Sequence, residues 1–141
     1  MEKLNILDEL NKGCSMGMEA IHQVLERVDD KSFQELLEEF HEEYDKLSSK
    51  IKEEYHEHSD SEVHEVNMME KIMTWYGITK DTMMDNSTSK YADLMINGTN
   101  MGIVEGRKLL NHKKMDHKIK SLCQEYVDMQ EEYIEKLKEF L

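Results

Sequence analysis

The chain has 141 residues, no proline, 38% hydrophobic and 35% charged residues, a length usual for one compact domain. Its 31 Asp and Glu against 18 Lys and Arg leave a net charge of -13, which argues against a nucleic-acid backbone or an anionic membrane surface as partner. Apolar runs such as Asn5 to Leu7 or Met101 to Val104 fall far short of the ~20 residues that span a bilayer. The start Met1-Glu2-Lys3-Leu4 has no basic stretch followed by an apolar core, so the expectation is a cytoplasmic protein. In that setting Cys14 and Cys123, which have neither metal-site nor redox-motif spacing, read as reduced thiols.

Glu, Lys, Leu and Met favour helix nearly everywhere, because they lose little rotamer freedom in it. Leu7, Cys14, Met18, Ile21 and Leu25 recur at threes and fours and predict a first amphipathic helix over 4–28. With Asp30 as N-cap, Phe33, Leu36, Leu37, Phe40, Tyr44, Leu47 and Ile51 predict a second over 30–57, antiparallel to the first. Breakers around Asp60, Ser61, Asn86 and Ser87 bracket a crossover with a helix within about 62–84, its Val66, Met69, Ile72, Met73 and Tyr76 turned inward. From a cap at Ser87 or Thr88 a long helix covers 88–111, with Tyr91, Leu94, Met95, Gly98, Met101, Glu105, Leu109 and His112 on one side. The last, over 116–141, turns Ile119, Leu122, Cys123, Tyr126, Met129, Tyr133, Leu137 and Phe140 inward.

None of these helices buries its stripe alone, so an all-α four-helix bundle in a single domain is predicted. The connection between the second and third long helices is long enough to run end to end. That makes the first and last long helices parallel and brings Cys14 and Cys123 near one height in the core.

The segments Leu4-Asn-Ile-Leu-Asp-Glu-Leu-Asn-Lys-Gly13 and Gly17-Met-Glu-Ala-Ile21 resemble the first helix of bacterial ferritin-like domains of unknown function. Phe33 to Tyr55 is similar to their second helix, Met73-Thr-Trp75 to a tryptophan-bearing crossover helix, and Ile96-Asn-Gly-Thr-Asn-Met-Gly-Ile-Val-Glu-Gly106 to their third. The resemblance covers nearly the whole chain and implies a ferritin-like bundle with a long helical crossover.

Di-iron centres of that superfamily take a Glu from each of two helices and Glu-x-x-His from two others, because residues three apart share a helix face. Glu38 to His41 is a Glu-x-x-His on a long helix, and its phase turns Glu38 to water. Glu105 lies on the predicted inward stripe, but Lys108 stands three residues on, and the last helix turns Tyr126, Met129 and Tyr133 inward instead of a ligand pair. This set falls short of the roughly six ligands that two bridged metals need. Three readings of Glu105 and its neighbours remain: a carboxylate paired with Lys108 or a tyrosine hydroxyl, a single iron or other divalent ion held by Glu105, His22 and Glu43, or no cofactor at all. A surface alternative is metal held by His56, His58 and His64, within His56-Glu-His-Ser-Asp-Ser-Glu-Val-His64.

Twelve methionines, five of them (Met68, Met69, Met73, Met83, Met84) near Trp75, mark the crossover as a candidate association surface. Met68 and Trp75 face away from Met69, Ile72, Met73 and Tyr76, so Met68, Trp75 and Met84 are the expected homodimer interface; any other protein partner is unnamed by the sequence. Charge is segregated, with a net -9 over residues 30–65 and +5 over 107–120, a pattern that suits a solvated acidic face and a basic helix end. Gly98, Gly102 and Gly106 permit a close approach to their helix. No phosphate loop or Gly-x-Ser-x-Gly occurs. The reading is a non-enzymatic, self-associating bundle with an interaction or stress-related role; the alternative is a metal-dependent member for storage or redox chemistry.

Overall fold

The computed structural model describes residues 2–63, 68–78 and 87–141, with the backbone alone for 68–71. Its elements are α1 (Glu2–Leu25), α2 (Lys31–His58), α3 (Met68–Tyr76), α4 (Thr88–His112) and α5 (His117–Leu137), closed by a 3-10 turn at Lys138–Phe140. There are no strands among the described residues, and no helix there is long and apolar enough to cross a membrane. Three starts are capped by side chains that accept the third amide of the helix: Asp30 from Phe33, Ser87 from Lys90 and Asp116 from Ile119, which satisfies donors no helical carbonyl reaches. α1 ends three residues before the predicted stop, yet Val28 beyond it is still buried, so the apolar period outlasts the helical backbone. Of the predicted crossover helix, nine residues are described as helix; Val66, Met83 and Met84 lie outside the described residues.

Pairings across the bundle fix its topology. α1 and α2 are antiparallel, with Asn11 opposite Ser48 and Gly17 opposite Tyr44. α2 and α5 are antiparallel, since Lys50 meets Glu125 at 2.9 Å and Lys136 meets Glu39 at 3.2 Å. In α4 and α5, Gly102 opposes Gln130 and Gly106 opposes Val127, again antiparallel. Lys3 meets Asp116 at 3.2 Å and Gly13 meets Tyr126, so α1 and α5 run parallel, as the long crossover requires. Around the bundle the order is α1, α2, α5, α4, which sets α4 diagonally across from α2, while α3 packs on α4 and α1. The parallel register puts Cys14 level with Val127, so the two cysteines are offset by one turn, ~6 Å along the axis.

Two stripes differ in phase from the sequence reading. On α4 the buried residues are Tyr91, Ala92, Met95, Gly98, Thr99, Gly102 and Gly106, while Met101, Glu105 and His112 are exposed. Ranking by hydrophobicity chose the methionine line; the bundle chose the glycine line, where large side chains of α3 and α5 enter. On α3, Ile72 and Tyr76 are buried and Trp75 is half-buried, with Met73 52% exposed. Residues 72, 75 and 76 share a helix face and 73 lies ~100° from 72, so Trp75 turns toward the bundle and Met73 away.

Candidate functional site

Each inward glycine receives a large side chain. An added Cβ at Gly17 would lie 2.5 to 2.9 Å from three ring atoms of Tyr44, and one at Gly106 would lie 2.7 Å from Val127 Cγ2. A methyl at Gly13 would overlap Tyr126, at Gly98 Tyr76, and at Gly102 Gln130. The result is a layer of aromatic and amide groups across the middle of the bundle: Tyr44 from α2, Tyr76 from α3, and Tyr126, Gln130 and Tyr133 from α5, all at most 2% exposed.

The layer is hydrogen-bonded and uncharged. Tyr44 Oη donates to Gln130 Oε1 at 3.0 Å, and Gln130 Nε2 donates to the Tyr126 carbonyl at 3.2 Å. Ser48 Oγ donates to Asn11 Oδ1 at 2.8 Å, and the Tyr76 hydroxyl points to Thr99 and Tyr44. Tyr133 stacks on Phe40 at 4.5 Å between ring centres and stands edge-on to Tyr44 at 6.3 Å, geometries that add ~1 kcal/mol each to burial. Asn11 Nδ2 and Tyr133 Oη have no hydrogen-bond partner among the described residues.

Burial pushes the hydroxyls of Tyr44, Tyr126 and Tyr133 well above the usual phenol range, with neighbouring groups of the cluster adding to it, and it raises Tyr76 as well. Burial, with Glu125 adding to it, also raises the Cys14 thiol strongly. Cys123, whose Sγ donates to the Gly106 carbonyl at 3.4 Å, is pushed up to about 11 by burial against the opposing pull of Arg107. Groups held neutral in this way supply no general base or nucleophile near neutral pH.

Beside the layer, Glu9, Lys12, Trp75, Glu105 and Tyr126 line a cleft of about 40 Å³ between α1, α3 and α4. By that volume it has room for a few waters. Among the described residues two carboxylates are buried, Asp8 of α1 at 6% exposure and, at the far end of α2, Glu54 at 7%. The Glu54 oxygens meet His58 at 2.9 Å and Lys118 at 3.5 Å, so opposite charges tie the last turn of α2 to the first of α5. The sequence reading passed over Glu54, whose only signal is its i, i+4 spacing to His58.

The other expected site residues lie apart. Glu105 is exposed on α4 and sits 3.8 Å from Lys108, the ion-pair reading without burial. His22 is exposed on α1, 3.5 Å from Glu26, and lines a groove with Glu38 and His41. Glu43 is exposed on α2. Glu105, His22 and Glu43 therefore belong to three surfaces rather than one core site, because the phase of α4 turns Glu105 outward and His22 follows the outer edge of α1. His56 pairs with Glu62 at 3.6 Å while His58 turns to Glu54; two residues apart on a helix, they point to different sides. His64 and Met84 lie outside the described residues, as does the side chain of Met68. Among the described residues no three His, Cys, Asp or Glu side chains are gathered to hold a metal ion.

Sequence reasoning turned Tyr44, Tyr76, Tyr126 and Tyr133 inward but missed Thr99, Ser48 and Gln130 and the tyrosines' partnership with glycine. The available signal was five helical glycines in a chain with six tyrosines. Comparison with protein-family models, with curated proteins and with solved structures finds no match to this chain.

Proposed function

We propose that this chain is a ferritin-like bundle that acts by interaction rather than catalysis, self-associating in a cytoplasmic, stress-related or scaffolding role. The parallel α1 and α5, with one long connection between α2 and α4, support the ferritin-like assignment, and two free buried thiols suit a reducing compartment. The observation that carries the reading is the Tyr44 to Gln130 hydrogen bond at the bundle centre. It lies where facing helices of a di-iron bundle would present carboxylates to a shared pair of ions. Rings seated on glycine occupy that volume, and their hydroxyls are neutral hydrogen-bonding groups instead of anions that need a cation to offset their burial.

The test is metal content by mass spectrometry after the full chain is incubated with ferrous iron or zinc and dialysed. The reading expects no stoichiometric ion and no change in melting temperature. About two irons per chain, lost in Glu105→Ala or His22→Ala, would overturn it in favour of a metal-dependent bundle.

A further inference from the structure

We infer that, among the described residues, Met73 and Met101 are the sites at which hydroperoxides oxidise this chain, each thioether becoming a sulfoxide while the bundle stays folded and both thiols stay reduced. The inference goes beyond the assembly reading and stands without it. In an unfolded chain cysteine is the sulfur that peroxide takes first, through its thiolate. Three observations reverse that order in the native chain.

First, the thiols are shut away. Cys14 and Cys123 are both 0% exposed, and Cys123 Sγ is held on the Gly106 carbonyl. Burial keeps both in the neutral thiol form, which is not the reactive species. Second, the large apolar side chains left open to solvent are Met73, Met101, Val104 and Leu141, and of these only the two methionines carry an oxidisable atom. Met16, Met95 and Met129 are buried, and Met18 and Met115 are half-buried. Met1 and the side chains of Met68, Met69, Met83 and Met84 lie outside the described residues.

Third, the product is tolerated where it forms. Met73 on α3 and Met101 on α4 both reach solvent, so a sulfoxide oxygen there finds water. The same oxygen on Met16 or Met95 would be a polar group without a partner in the core. The step is a two-electron oxygen transfer: the sulfur lone pair attacks one peroxide oxygen, the O–O bond breaks and the S–O bond forms. The departing hydroxide takes the proton of the transferred oxygen and leaves as water, so sulfur is oxidised and peroxide reduced.

Brief treatment of the native full chain with hydrogen peroxide, followed by peptide mapping in a mass spectrometer, tests this. Sulfoxide should build at Met73 and Met101 on the order of tenfold faster than at Met16 or Met95. Cys14 and Cys123 should remain alkylatable once the treated chain is unfolded, and helical circular dichroism should not change. In denaturant the four methionines should react alike and the thiols should be lost first. Oxidation of Met16 or Met95 as fast as that of Met73 in the native chain overturns the inference. So does loss of either thiol before Met73 and Met101 are consumed, or loss of helix in step with their sulfoxide. These readouts are separate from the metal measurement above, which decides the broader reading on its own.

Discussion

Replacing Gly17 by alanine tests the glycine and tyrosine seating most sharply, because two effects of opposite sign compete. Alanine in a helix interior gains up to ~1 kcal/mol over glycine from lower unfolded-state entropy and better propensity. Against this, the new methyl would lie 2.5, 2.6 and 2.9 Å from three ring atoms of Tyr44, where carbon pairs settle at ~3.5 to 4.0 Å. The ring must retreat by ~1 Å, and it has no room to do so: Tyr133 stands edge-on behind it at 6.3 Å and its hydroxyl is tied to Gln130. Overpacking of this kind costs ~1 to 3 kcal/mol, and a distorted Tyr44 hydrogen bond costs ~1 more. The net expectation is a loss of about 2 kcal/mol, read as a fall in melting temperature of roughly 6 to 10 °C. In a Tyr44→Leu background the same Gly17→Ala change should cost nothing or stabilise, because its steric partner is gone. A Gly17→Ala protein that melts higher than wild type, or an equal loss in both backgrounds, would refute the seating argument.

Tyr133→Phe should leave stability within about 0.5 kcal/mol, since its hydroxyl has no partner among the described residues, while Tyr44→Phe should cost ~1 kcal/mol by stranding Gln130 Oε1; chemical denaturation separates the two. The thiols of Cys14 and Cys123, raised by burial, should resist alkylation at pH 8 in the native chain and react at once in denaturant. The backbone amide of Ile119 holds the Asp116 carboxyl below its usual range. This cap thus stabilises the fold above the unfolded carboxyl value of ~4, and the stabilisation fades as pH falls through the lower folded value. Asp116→Ala should cost ~1 kcal/mol at pH 7 and flatten that acid limb in pH-dependent melting.

Helix positions, caps and the parallel pairing of first and last helices were legible in the sequence, because periodicity and capping residues act within a few positions of each other. Asp30 and Ser87 show it: each is read from its own turn, Ser87 with Thr88 as the alternative, and both cap their helices. Which side of α4 faces inward was not legible, because that choice belongs to α3 and α5. Met101 is more apolar than Gly102, yet Gln130 and Tyr126 need the space that Gly102 leaves. The same displacement carried Glu105 from a supposed interior ligand to an exposed partner of Lys108. Met73 and Trp75 exchanged roles for a related reason: nine helical residues are too few for periodicity alone to set the phase. The burial of Glu54 depends on Lys118, 64 positions away, and the i, i+4 spacing to His58 alone does not announce it.

Buried, protonated tyrosines fill the bundle centre, and ultraviolet titration of the native chain at 295 nm reads that directly. All six tyrosines are at most 2% exposed, and those of the central layer are raised by burial. At least four should therefore stay protonated past the ordinary midpoint near 10 and ionise only in one step with loss of helical circular dichroism. Reversible ionisation of three or more near pH 10 with the helices intact would contradict it.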